Sequence, residues 1–290
     1  MKYSEFHKKN DGQILSLDEY DCGADRKLPL LQFPLLSGTE IVKHAFTTRE
    51  GGVSEGMFAS LNLSFSRGDD PDAVRENYRR IAAAFEKEVT DIVCSDQTHT
   101  TNVRRVDRTY GGCGVIKERP YTDVDGLVTN EPGLILATFY ADCVPLYFVD
   151  PVHRAIGLSH SGWRGTVARM GQATLDKMKA EFDTDPKDVY AAIGPSVCQD
   201  CYEVSKDVAD AFKEAFAGHE DDILIDKGNG KYQLDLWKSN EIVMLDAGIK
   251  KEHLAVTNIC TCCNARLLFS HRASKGKRGN LGAFLMLREC

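Results

Sequence analysis

Leu134-Ile135-Leu136-Ala137-Thr138-Phe139-Tyr140 is a continuous apolar run of strand length. Ala141-Asp142-Cys143-Val144-Pro145 follows at once and leads into a second run, Leu146-Tyr147-Phe148-Val149. Past Asp150-Pro151-Val152-His153 comes a third, Ala155-Ile156-Gly157-Leu158. Such runs do not alternate apolar with polar residues, so they read as strands buried on both faces. Cys143 and His160 then fall at strand ends, where a rigid scaffold presents side chains to a cleft. Beyond His160, Ser161-Gly162-Trp163-Arg164-Gly165 sets two glycines around an indole and a guanidinium, a pattern that permits close backbone approach.

Working outward, Val167, Met170, Thr174, Met178 and Phe182 lie on one face of a helix expected after Gly165. A second helix is expected after Asp72, with Val74, Tyr78, Ile81 and Phe85 at helical spacing and Asp70 or Asp72 as cap. Ser205 should cap a third helix, carrying Val208, Phe212 and Phe216. Asp235 should open a fourth, which Gly248 ends. Lys43-His44-Ala45-Phe46-Thr47-Thr48, Val189-Tyr190-Ala191-Ala192-Ile193, Val256-Thr257-Asn258-Ile259 and Ala283-Phe284-Leu285-Met286-Leu287 read as strands. Gly228-Asn229-Gly230 reads as a tight turn between two more. Strands and helices mix without strict alternation, which predicts an α+β fold with mixed sheets flanked by helices. Residues 1–40, broken by Pro29 and Pro34, read as an irregular lead-in, and residues 41–290 as a single catalytic domain.

The net charge of −7 argues against non-specific nucleic-acid binding and against anionic membrane surfaces. No stretch approaches the roughly 20 apolar residues of a membrane span, and the N-terminal residues lack a secretory signal's apolar core. The chain therefore reads as cytoplasmic, with small-molecule partners and a monomeric or weakly dimeric state. Its 10 cysteines then read as reduced, buried or metal-binding rather than disulfide-bonded.

Gln97-Thr98-His99 has polar neighbours and no periodicity, so it reads as a loop. His99, Cys143 and His160 together supply two imidazoles and one thiolate. That is the ligand count of a catalytic zinc site with its fourth position open. Taken singly, Cys143 reads as a buried thiol and His99 as a surface histidine; their surroundings raise the metal reading. Asp142, beside the thiol, is placed by sequence to shuttle a proton. Arg49, in a Gly-Gly loop, and Arg272, in Ser270-His271-Arg272, are candidates for gripping a phosphate or carboxylate.

A second thiol group consists of Cys198-Gln199-Asp200-Cys201 and Cys260-Thr261-Cys262-Cys263. Because the latter is C-x-C-C, the group is expected to be buried thiols near the cleft and not a second metal site. Gly276, Gly279 and Gly282 match neither a Walker loop nor the dinucleotide fingerprint and read as a turn before the last strand.

Several segments carry a resemblance. They include His44-Ala45-Phe46-Thr47-Thr48-Arg49-Glu50-Gly51-Gly52-Val53-Ser54, Ser60-Leu61-Asn62-Leu63, Gln97-Thr98-His99 and Asp123-Val124-Asp125-Gly126-Leu127-Val128-Thr129. Others are Ala141-Asp142-Cys143-Val144-Pro145, His160-Ser161-Gly162-Trp163-Arg164-Gly165-Thr166, Ile193-Gly194-Pro195-Ser196, Cys201-Tyr202-Glu203-Val204 and Ser270-His271-Arg272. In this order they resemble the laccase-domain family, also called polyphenol oxidase-like. Its members are multifunctional purine nucleoside phosphorylases and include a peptidoglycan editing factor. The resemblance implies that His99, Cys143 and His160 are metal ligands, with zinc the usual metal and copper the alternative. It also implies phosphorolysis of adenosine, inosine and methylthioadenosine together with adenosine deamination, with nucleoside and phosphate as substrates. Asn62, within a matching segment, joins Arg49 and Arg272 as a candidate substrate contact. The stretch 275–280 departs from the family's Thr-Gly-Arg, so no role is carried over to Arg278. Two other classes stay open: a cysteine hydrolase or peptidoglycan-precursor editing factor using Cys143 as nucleophile, and a copper phenol oxidase.

Overall fold

The computed structural model describes residues 1–21 and 27–289. In chain order its strands are β1 Ser16–Asp21, β2 Lys27–Gln32, β3 Val42–Thr47, β4 Ile92–Cys94, β5 Val103–Arg105, β6 Gly126–Thr129, β7 Ile135–Tyr140 and β8 Val144–Asp150. Then come β9 Ala155–Ser161, β10 Tyr190–Ile193, β11 Glu203–Ser205, β12 Leu224–Gly228, β13 Lys231–Leu234, β14 Leu254–Val256 and β15 Leu281–Leu287. The helices are α1 Pro34–Ser37, α2 Pro71–Ala84, α3 Trp163–Val167, α4 Met170–Phe182, α5 Lys206–Ala215, α6 Glu220–Ile223, α7 Leu236–Asp246 and α8 His271–Ser274. None is long and apolar enough to cross a membrane.

Two six-stranded sheets dominate, in the orders β1-β2-β3-β15-β7-β4 and β14-β10-β8-β9-β6-β5. Both are mixed: β4–β7, β5–β6 and β10–β14 pair in parallel, the remaining neighbours antiparallel. A small third sheet, β11-β13-β12, closes on a turn whose Asn229 and Gly230 both have positive φ, as a tight hairpin requires. The α+β architecture with mixed sheets is as the sequence predicts.

The apolar runs explain the layering. In β8, Tyr147 and Val149 face the core between the two large sheets, while Val144, Leu146 and Phe148 face a helix layer containing α4, α5 and α7. In β7, Leu136 and Tyr140 face the inter-sheet core, while Ile135 and Ala137 meet Val74, Tyr78 and Ile81 of α2. Each central strand is therefore apolar on both sides. The α2 helix begins as expected, with Pro71 in its first turn and the Asp70 side chain accepting from the Asp72 N–H at 2.9 Å.

Three expectations are corrected. Residues 1–40 are not an irregular lead-in, because β1 and β2 form an antiparallel hairpin joined to β3. The helix expected after Gly165 is split into α3 and α4 by Arg169, whose φ is 59°. The strand expected at residues 256–259 is β14, which ends at Val256.

Candidate metal centre

His99 and Cys143 both sit where the chain passes from the first large sheet to the second. His99 lies between β4 and β5, and Cys143 between β7 and β8. His160 stands on β9, opposite Pro145 of β8. These crossings bring the three side chains together, with their ligand atoms within 4.8 Å of one another. Cys143 Sγ is 3.9 Å from His99 Nε2, and the two imidazole rings meet edge to face at 4.9 Å.

A residue that the sequence reading assigned no role organises this cluster. Asp125, fully buried just before β6, accepts a 2.7 Å hydrogen bond from His160 Nδ1. That contact leaves His160 Nε2 free to serve as a ligand atom. The same carboxylate accepts from the backbone N–H groups of Thr98, His99 and Thr100 at 2.9, 3.1 and 3.0 Å. It thereby holds the His99 loop in a conformation where His99 has a φ of 70°. Gln97 ties the loop to β7 through the backbone N–H and C=O of Phe139, at 2.7 and 2.8 Å.

Burial alone would raise the Cys143 thiol, but the imidazoles of His160 and His99 outweigh it and bring the pKa down to about 6. For His160, burial acts downward, and the Cys143 thiolate with the Asp125 carboxylate carries the imidazole up to about 9. The donor set fits a metal ion, because a thiolate and two imidazoles converge with one imidazole oriented by a carboxylate. The backbone also leaves room. A Cβ on Gly162 would come within 2.7 Å of His99 Cδ2 and 3.2 Å of Cys143 Sγ, so only glycine fits beside the cluster.

The cluster opens on a cavity of about 330 Å3. Phe65, Tyr78, Phe139 and Tyr140 supply aromatic wall, and Phe65 stacks on Tyr78 at 5.6 Å. Arg67, Arg119 and Arg278 also line it. Arg119 is paired with Asp96 at 2.6 Å. Arg67 and Arg278 form no ion pair among the described residues, and the buried Nε of Arg278 has no hydrogen-bond partner. Burial, reinforced by Arg67, lowers the Arg278 guanidinium to about 10. Asp96, the carboxylate on this wall, is taken up by Arg119, and two guanidiniums without an ion pair beside it are suited to an anion.

The other sequence candidates do not line this cavity. Arg49 donates to the backbone carbonyls of Ala59 and Ala265 at 2.8 and 3.2 Å and stacks on Phe269, so it ties loops together. Asn62 is fully buried and bonds Ser64, Asp69 and Asn280. The Arg272 side chain donates to Glu203 O at 2.9 Å and lies over Tyr202. Asp142 does not aim a free carboxylate inward. One oxygen accepts from Thr261 Oγ1 and the other from the Arg272 N–H, each at 2.6 Å. The cavity-lining arginines to which sequence reading gave no role are Arg67 and Arg278. Neither has a distinctive neighbourhood, and Arg278 falls where the family pattern breaks down.

A family model described as multi-copper polyphenol oxidoreductase laccase matches residues 43–288, and the chain belongs to this family. It is 36% identical over 245 residues to the purine nucleoside phosphorylase YlmD of Bacillus subtilis strain 168, covering 84% of this chain and 88% of that one. It is 32% identical over 230 residues to adenosine deaminase RL5 from an unknown prokaryotic organism, covering 79% and 87%. The crystal structure of YlmD from Geobacillus stearothermophilus superposes with a TM-score of 0.85 at 34% identity, covering 95% of this chain and 99% of that one.

Proposed function

We propose that this protein is a metal-dependent purine nucleoside phosphorylase, acting on adenosine, inosine and methylthioadenosine, that also deaminates adenosine. The observation that carries this reading is that three candidate ligand side chains, an aromatic wall and two arginines without ion pairs open on one cavity. The names of the relatives point the same way. His99, Cys143 and His160 would hold the ion, and one thiolate with two imidazoles suits zinc. A zinc ion held there would supply Lewis-acid polarisation.

The chain's own groups do the rest. Phe65, Phe139 and Tyr140 offer faces to a purine, and Arg67 with Arg278 holds phosphate. In phosphorolysis a phosphate oxygen bonds the anomeric carbon, the bond from that carbon to the base nitrogen breaks, and the base leaves with a proton. In deamination water adds at the purine carbon bearing the amino group, and ammonia departs. Asp125 keeps His160 in one tautomer throughout.

A second reading is favoured by one observation. Asp125, His160 and Cys143 form a carboxylate–imidazole–thiol chain, as a cysteine hydrolase requires. One experiment separates the two: product analysis with adenosine on metal-quantified enzyme. With phosphate, adenine and ribose 1-phosphate are expected; without it, inosine and ammonia. Failure to form any purine product at full metal loading overturns the first reading. The copper phenol oxidase reading is not favoured, because the described residues offer one three-ligand group and one four-cysteine group, not a cluster of copper sites.

A further inference from the structure

Cys198, Cys201, Cys260 and Cys263 do not behave as separate buried thiols. Their four sulfurs lie within 4.8 Å of one another. Cys198 Sγ is 4.0 Å and Cys201 Sγ 3.5 Å from Cys263 Sγ. These distances exclude disulfides, whose sulfurs are bonded at about 2.05 Å. They match a tetrahedron of thiolates around one ion, whose sulfurs, at metal–sulfur bonds of about 2.3 Å, stand about 3.8 Å apart. The sequence pattern agrees once Cys262 is set aside. Cys198-x-x-Cys201 and Cys260-x-x-Cys263 are two pairs with zinc-ribbon spacing, and Cys262 had hidden the second.

Three further features fit a ligand group better than core packing. Cys263 is exposed and Cys201 half-buried, although thiols that merely fill a core are buried. Cys260 Sγ accepts backbone N–H bonds from Cys198 at 3.2 Å and from Cys263 at 3.4 Å, which favours a charged sulfur. Lys9, bonded to Asp200 at 2.8 Å, adds positive charge beside Cys198 and Cys263.

We propose that Cys198, Cys201, Cys260 and Cys263 form a closed site for a thiophilic divalent ion of the zinc class, separate from the His99–Cys143–His160 centre. Its four positions are all filled by protein, so its role is structural. Its loops reach the other centre. Thr261, between two of the ligands, donates to Asp142, and Val197, beside Cys198, donates to the Asp142 carbonyl at 3.0 Å. Asp142 adjoins Cys143, so the ion would brace the turn that carries a ligand of the catalytic centre. Only this bracing role rests on the reading given under Proposed function.

The test is cobalt substitution with metal counting on the full chain under reducing conditions. Wild type should hold about two ions and Cys143→Ala about one. The Cys143→Ala protein should keep strong thiolate-to-cobalt charge-transfer absorption, which the double variant Cys143→Ala with Cys263→Ser should lose. Cys263→Ser should also lower Tm by roughly 10 °C. If Cys263→Ser does not fold, the Cys143→Ala spectrum decides alone. Absence of bound metal and of charge-transfer bands in Cys143→Ala overturns the proposal. Because no activity is measured, this failure is distinct from failure of the nucleoside reading.

Discussion

The two ligand clusters of this molecule are built in opposite ways. The His99–Cys143–His160 group has three ligands, opens on a cavity and depends on one buried carboxylate for its shape. The Cys198–Cys201–Cys260–Cys263 group has four sulfurs, no open position and backbone N–H groups for support. The first faces an open cavity, whereas the second is closed by four sulfurs. The difference teaches that ligand count and what stands behind the ligands separate a reacting centre from a fastening one.

Each of the following changes tests that contrast. The largest effect is expected from Arg278→Gln. If Arg278 grips phosphate on the open side, phosphorolysis should fall by roughly 10- to 150-fold, or about 1.5–3 kcal/mol, with deamination nearly unchanged. Arg49→Gln should reduce both reactions alike and lower Tm, because Arg49 ties loops together. Rates for both reactions in one preparation decide this, and equal losses in Arg278→Gln would remove it from the phosphate site. Next is Asp125→Asn, which should weaken metal binding at the open centre by about 10- to 100-fold, as measured by chelator competition. The four-cysteine site should keep its affinity in the same sample, and a matching loss at both sites would mean that the two clusters are not independent.

The smallest effect belongs to a histidine in neither cluster. His44 is buried, its Nε2 accepts from the Phe33 N–H at 2.8 Å, and burial with help from Arg288 holds its pKa down at about 3. In the unfolded chain this imidazole takes up a proton near pH 6.5. Its contribution to stability is therefore complete above that pH and is lost as pH falls toward 3. The loss between about pH 6.5 and 5 should be on the order of 2 kcal/mol. Urea unfolding at both pH values should show wild type losing that much more than His44→Gln, and identical pH sensitivity would contradict it.

Much of this was legible in the sequence, for physical reasons. Strands buried on both faces must be apolar throughout, so β7, β8 and β9 announce themselves. His99, Cys143 and His160, which the fold brings together, stand out because polar, reactive residues beside such strands need a reason to be there. The β1–β2 hairpin was hidden because Ser16–Asp21 is a polar, largely solvent-facing edge strand. Its partner β2 carries Pro29, at the point where pairing with β3 stops. Asp125 was hidden because its importance comes from partners about 25 to 35 positions away in the chain. Arg278 sits in a Gly- and Lys-rich turn that reads as solvated, and only the folded chain buries its Nε.

Both His99 and Cys143 lie on crossings from one large sheet to the other, and His160 belongs to the second sheet. The three-ligand sphere therefore does not exist until the sheets have docked. A folding intermediate that has built a single sheet offers an incomplete grip. An ion held there would act as a rivet through the seam. Any sliding of one sheet against the other would change the spacing of the three side chains.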